Sequence, residues 1–109
     1  MAAAAETTGW MAFVAVSLAV SGQPASAAGD RALGEYLSSE CATCHQTSGR
    51  QAGGVPAIIG HPAEQFVALM ESYKQRYREN EVMRTIAARL SEEEIAALAA
   101  YYGSLTPKP

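Results

Sequence analysis

Cys41-Ala42-Thr43-Cys44-His45 holds both cysteines of the 109-residue chain and one of its two histidines. Two thiols separated by two residues, with an imidazole directly after the second, form the attachment spacing for a c-type haem. Each thiol adds to one haem vinyl group. The two intervening residues, continued from a helix, span the vinyl edges, and the next residue places its imidazole under the iron. Cys41 and Cys44 are thus the candidate attachment residues, and His45 the first candidate iron ligand. Other uses of the pattern fit poorly. A structural zinc site needs four ligands, and no second Cys or His pair exists to complete it. A thioredoxin-like pair expects strand–helix–strand surroundings, which are missing, and a plain disulfide leaves His45 without a role.

Composition explains why such a staple is needed. The chain has 8 Lys+Arg against 11 Asp+Glu and is 49% hydrophobic, which argues against a nucleic-acid partner and against disorder. Alanine supplies 22 residues, each burying little surface, so the core is thin. The start of the chain takes residues away from it. Trp10 to Val20 is an uncharged run, too short for the ~20 residues that span a bilayer, and it is followed by Gly22, Pro24 and the small-residue stretch Ala25-Ser26-Ala27-Ala28. Residues 1–28 read as an export signal cleaved after Ala27 or Ala28, with retention as an anchor the alternative, since only Glu6 and no Lys or Arg precedes the run. The expected product is an exported, periplasmic domain of residues 29–109, with no membrane contact after cleavage. Chains of that size bury only about 60% of their unfolded surface and lean on a bound group or crosslink.

The remainder reads as all-α. Only three Val and four Ile follow residue 28, and no long apolar/polar alternation supports a sheet. Asp30 is the expected N-cap of a helix from Arg31 to about Cys41, with Leu33, Tyr36 and Leu37 on one face and Gly34 available for close approach of another helix. Gln46 to Pro62 loses the helical period, and its Gly and Pro residues mark a loop. Its apolar cluster, Val55-Pro56-Ala57-Ile58-Ile59, is expected to line one side of the haem. Pro62 suits the first turn of a second helix carrying Phe66, Val67, Leu69, Met70, Tyr73 and Tyr77. Lys74, Arg76 and Arg78 gather at its end, as a solvated helix terminus or as a docking patch for an acidic partner. Ser91-Glu92-Glu93-Glu94 matches a capping box and opens a last helix with Ile95, Leu98, Ala99 and Tyr102 on one side, ending near Gly103.

Iron has two axial positions, and Met70, Met83 and His61 are candidates for the second. Met70 lies on the apolar stripe of the second helix, where core packing explains it. His61 sits in the loop beside Pro62 and offers a bis-histidine alternative. Met83 has Ile86 and Ala87 at helical spacing and so has a core reading too, yet it lies in a linking segment able to fold back over the haem, which favours it as the ligand. A thioether ligand raises the potential and suits one-electron carriage rather than substrate binding.

With these motifs in view, residues from about Leu37 to Leu105 resemble a class I c-type cytochrome, and more narrowly the monohaem cytochrome subunit of flavocytochrome c sulfide dehydrogenase. The resemblance runs through CATCH, Val55-Pro56-Ala57-Ile58-Ile59-Gly60, Phe66 with Leu69, Val82-Met83-Arg84-Thr85-Ile86-Ala87, and Leu90 to Tyr102. It implies three to five helices around one covalent haem, with Met83 as the sixth ligand and the Pro56 carbonyl holding the free nitrogen of His45. It also implies that Gly34 meets Leu98 or Tyr101 where the first and last helices cross. Gln46 departs from the pattern, since many relatives have Gly after the ligand His. The implied role is non-catalytic. Electrons come singly from a sulfide-oxidising flavoprotein subunit or another redox protein and go to a soluble acceptor. The alternative is a free soluble carrier serving other dehydrogenases or oxidases.

Overall fold

Asp30 starts the first helix by accepting hydrogen bonds from the Ala32 and Leu33 backbone N–H groups at 2.9 and 3.2 Å. The computed structural model describes residues 3–5, 9, 11–17, 19 and 29–108. Among these it contains four helices: α1 (Arg31–Cys41), α2 (Ala63–Lys74), α3 (Glu81–Ala88) and α4 (Glu92–Ser104). The one β feature among them is an isolated bridge between Ala52 and Val55, so the domain is all-α, as expected. Within the expected leader, Met11, Phe13, Val14 and Val16 are exposed and lie in neither helix nor strand. The expected cleavage site at Ala27 or Ala28 lies outside the described residues.

α1 and α4 form the most extensive helix pair. α4 begins with the expected capping box: Ser91 Oγ accepts from Glu94 N–H at 3.1 Å, and Glu94 Oε1 accepts from Ser91 N–H at 2.9 Å. Those hydrogen bonds hold the Glu94 carboxyl below its ordinary pKa. Ile95, Leu98, Ala99 and Tyr102 are buried along one side of α4. Ala97 is buried too, against α1, because Gly34 lets the two backbones meet. A Cβ built at Gly34 would lie 2.0 Å from the Ala97 carbonyl oxygen and 2.7 Å from Tyr101 Cβ. The Tyr101 contact is as implied; the other partner is Ala97, since Leu98 turns into the core. Gly29 makes a second close approach, to Ala96, that nothing in the sequence signals. Tyr36, expected on the inner face of α1, is exposed. It stands two positions, about 200° of helix rotation, from Gly34 and turns outward once that glycine docks.

Pro62 caps α2 from just outside the first turn, and its carbonyl accepts Phe66 N–H at 3.1 Å. α2 stops at Lys74, three residues sooner than the apolar stripe suggested. Arg76 takes a left-handed φ of +63°, and Tyr77 N–H and Arg76 N–H donate back to the Ser72 and Tyr73 carbonyls at 2.8 and 3.0 Å. Tyr77 is therefore exposed rather than part of the stripe. The segment expected to be a link is itself a two-turn helix, α3, whose N-cap Asn80 accepts Met83 N–H at 3.0 Å. The cations after α2 are also engaged: Lys74 Nζ donates to the Leu90 carbonyl, Arg78 lies 5.2 Å from the Tyr73 ring centroid, and Arg76 pairs with Glu81 at 3.5 Å.

Phe66 stacks on Tyr102 with centroids 5.9 Å apart, joining α2 to α4 inside a core that includes Met70, Ala87, Ile95 and Leu98. Between α1 and α2 the chain makes a tight turn at Gly53-Gly54, both at positive φ, closed by Ala52–Val55 hydrogen bonds of 2.9 and 3.2 Å. Gly60 N–H donates to the Tyr102 carbonyl at 2.9 Å and Lys108 N–H to Ser48 at 3.2 Å, fastening this loop to α4 and the tail. Because a Cβ at Gly34 must part α1 from α4, Gly34→Ala is expected to cost about 1–3 kcal/mol despite alanine's better helix propensity. A thermal melt of the variant with an unchanged or raised midpoint would contradict this contact.

Candidate functional site

The CxxCH motif folds as one continuous turn off the end of α1. Ala42 N–H bonds to the Ser38 carbonyl at 2.9 Å, while Cys44 and His45 N–H groups both return to the Cys41 carbonyl, at 3.2 and 2.9 Å. This leaves Cys41 half-buried at the helix terminus, Cys44 exposed, and His45 buried, 9% exposed. Burial pushes the Cys41 thiol pKa above its ordinary value, partly offset by a hydrogen bond with Tyr102. Tyr102 is itself shifted upward, first by burial and then by the nearby Cys41 thiol.

His45 is held from the far end of the loop. Its Nδ1–H donates to the Pro56 carbonyl at 2.7 Å. A carbonyl accepts only, so this bond fixes the Nδ1–H tautomer and leaves Nε2 as the lone-pair nitrogen of the ring. The other histidine is committed differently: His61 Nε2–H donates to the Ala57 carbonyl at 3.0 Å.

These residues border a cavity of about 320 Å³. Its walls come from the end of α1 and the CxxCH turn, from Pro56, Ala57, Ile58 and His61 of the loop, from Phe66, Leu69, Met70 and Tyr73 of α2, and from Val82, Met83 and Ile86 of α3. A second cavity of about 200 Å³ is bordered by Val55, Gly54 and six residues shared with the first: Cys44, His45, Pro56, Asn80, Val82 and Met83. α4 lines neither cavity and acts as the floor of the core behind them.

The three candidates for a second ligand separate by position. Met70 is buried in the helix core and also reaches the first cavity. His61 reaches it with Nε2 already bonded to the backbone. Met83 is partly buried and, like His45, borders both cavities. The two isoleucines part company. Ile58 lies on the cavity wall, whereas Ile59 is 4% exposed within the helix core and lines neither cavity. Adjacent residues of an extended loop point to opposite sides, so one of the pair faces the cavity and the other the core.

The arrangement fits a haem. An apolar slot has two thiols at one edge, an imidazole whose free nitrogen is set by its other hydrogen bond, and a thioether on the same cavities. Among the described residues, no group of three or more His, Cys, Asp or Glu side chains gathers as a zinc-type site would require.

Comparison with known proteins decides the family. Residues 32–106 match the family model described as cytochrome c. The chain belongs to the cytochrome c family. It is 36% identical over 75 residues to the cytochrome subunit of sulfide dehydrogenase from Chlorobaculum tepidum, covering 69% of this chain and 68% of that protein. It is 35% identical over 81 residues to cytochrome c-554(548) of Halomonas halodenitrificans, covering 71% of this chain and 98% of the relative. A 62-residue match at 39% identity, covering 55% of this chain, reaches the thiosulfate dehydrogenase electron acceptor of Stutzerimonas stutzeri, of which it spans only 29%.

This cytochrome thus carries one covalent haem c with its iron, at the CxxCH of Cys41 and Cys44, and its role is electron transfer. Sequence reasoning missed α3 as a helix and, with it, its N-cap Asn80 on the cavity wall, and it gave Tyr73 and Arg78 no place there. The available signal was Asn80 followed by Glu81, an N-cap and a first-turn acid, but it introduces only eight helical residues. Replacing Cys41 and Cys44 together by Ala is expected to leave no haem on the chain after denaturing electrophoresis, by haem stain. Retention of stained haem by the double variant would contradict thioether attachment.

Proposed function

We propose that this cytochrome is an exported, periplasmic one-electron carrier whose haem iron is held by His45 and Met83, and that a sulfide-oxidising flavoprotein supplies its electrons. A single observation carries the ligand assignment: His45 and Met83 border the same two cavities, beside Cys44, while His61 Nε2 is bonded to Ala57 and Met70 sits in the helix core.

Each residue has a separate task. Cys41 and Cys44 fix the edge of the prosthetic group to the end of α1. His45 presents Nε2, and its Nδ1–H bond to Pro56 orients the ring and raises its basicity as a ligand. Met83 supplies a soft, neutral sulfur from α3, which favours the reduced state. Ile58, Phe66, Leu69 and Ile86 keep water from the slot, so charge changes there are weakly screened. When bound, the haem supplies one iron that accepts and releases a single electron. With His45 and Met83 both committed to holding the iron, no position would be left for a substrate, and the protein's contribution would be a set of ligands that need not rearrange.

The similarity to a cytochrome subunit of sulfide dehydrogenase supports a flavoprotein donor, with sulfide chemistry on that partner and a soluble acceptor downstream. A second reading is a free carrier serving other dehydrogenases or oxidases. The Halomonas cytochrome favours it, because the match spans 98% of that protein. The uncharged run and the small-residue stretch within residues 1–28 suit export followed by cleavage.

The test uses purified holoprotein. Met83→Ala should abolish the near-infrared charge-transfer band of Met-ligated ferric haem and make carbon monoxide bind the ferrous form readily, whereas Met70→Leu should keep the band. A Met83→Ala protein with the wild-type spectrum contradicts the ligand assignment. On the donor side, sulfide should reduce the haem rapidly only when the flavoprotein is present; equal rates without it contradict that partner.

A further inference from the structure

Met83 rides on a helix of eight residues, too short to hold its own position, so something else must fix where α3 begins. The connection from α2, residues 75–80, contains the only two non-glycine residues at positive φ among those described: Arg76 at +63° and Asn80 at +147°. Non-glycine residues in such conformations are strained and persist only where their surroundings hold them. Asn80 is also the residue that places Met83, since its side chain accepts Met83 N–H at 3.0 Å and it lines both cavities.

The residue that holds this strained connection is Arg84. Its side chain is only 10% exposed, in a segment whose other charged groups are largely solvated. Nε donates to the Arg78 carbonyl at 2.7 Å and Nη2 to the Arg76 carbonyl at 3.0 Å. Nη1 donates to Glu81 Oε1 at 2.9 Å, and Nη2 lies 3.4 Å from Glu79 Oε1. One planar guanidinium therefore ties together carbonyls on either side of Tyr77 and the first residue of α3. The Arg84 backbone N–H closes the same turn on the Asn80 carbonyl at 2.9 Å. Lysine carries the same charge but lacks the fork that reaches several acceptors in fixed directions.

We propose that Arg84 is a positioning residue for the Met83 sulfur: it clamps the strained 75–80 connection, fixes Asn80 as the cap of α3, and thereby keeps the thioether seated at the haem iron. The role rests on Met83 being the ligand. Loss of the clamp frees Asn80 to leave its positive-φ conformation, and the start of α3, Met83 included, moves with it. The domain core stays intact, because Ala87, Ile95, Leu98 and Tyr102 are buried by packing that Arg84 does not touch.

The experiment compares Arg84→Lys and Arg84→Ala holoproteins with wild type, with Met83→Ala, and with Ser91→Ala. Ser91→Ala removes the α4 cap and weakens the fold without touching the clamp. The clamp predicts that both Arg84 variants keep their covalent haem and helical circular dichroism, weaken the near-infrared band of Met-ligated ferric haem, and bind carbon monoxide about tenfold faster in the ferrous form. Ser91→Ala should lower the melting midpoint yet leave the band and the carbon monoxide rate as in wild type. If the Arg84 variants keep the wild-type band and rate, or if Ser91→Ala shifts them as much, the positioning role is overturned while Met83 stands. A wild-type protein without the band, or one unaffected by Met83→Ala, overturns the ligand assignment and the clamp's purpose together.

Discussion

The hydrogen bond from His45 Nδ1–H to the Pro56 carbonyl, 2.7 Å long, joins the two halves of the site. One end belongs to the turn that extends α1, and the other to a loop with no regular structure of its own. The bond sets the imidazole tautomer, and with it which nitrogen can bind a metal. It also brings Pro56 and Ile58 to the cavity wall. The loop can meet this demand because its far end is tied to α4 through Gly60 and Tyr102 and its start to the tail through Ser48 and Lys108. A single side-chain-to-backbone bond thus depends on, and organises, contacts spread over most of the domain.

The same economy appears in the protein core. An alanine-rich chain has few large side chains, and among the described residues the bulky ones fully buried are Ile95 and Leu98. α4 converts alanine into an advantage: small residues at Ala96 and Ala97 let the backbones at Gly29 and Gly34 come close, which large side chains would forbid. The slot lies away from this crossing, between α2, α3 and the CxxCH turn. A haem seated there supplies the apolar bulk that the sequence itself lacks.

Much of this was legible before any coordinates. The CxxCH spacing declares its cofactor, Asp30 and Ser91 announce helix starts through hydrogen-bonding side chains, and Ile95, Leu98 and Tyr102 repeat with the helical period. What stayed hidden was set by tertiary contact rather than local pattern. Tyr36 and Tyr77 look like members of apolar faces, but the docking of Gly34 turns one outward and the left-handed Arg76 ends α2 before the other. Ile58 and Ile59 are indistinguishable in sequence, and only the path of the loop assigns one to the cavity and its neighbour to the core. Arg84 reads as one more surface charge until the connection it binds is seen, since two of its partners are backbone carbonyls.

The proposed centre is one iron with a nitrogen ligand from His45 and a sulfur ligand from Met83. X-ray absorption at the iron edge of the holoprotein, recorded oxidised and reduced, examines that centre directly. Six-coordinate iron with one axial nitrogen and one axial sulfur in both states is the predicted result. Five-coordinate iron, two axial nitrogens, or a sulfur lost on oxidation would contradict it.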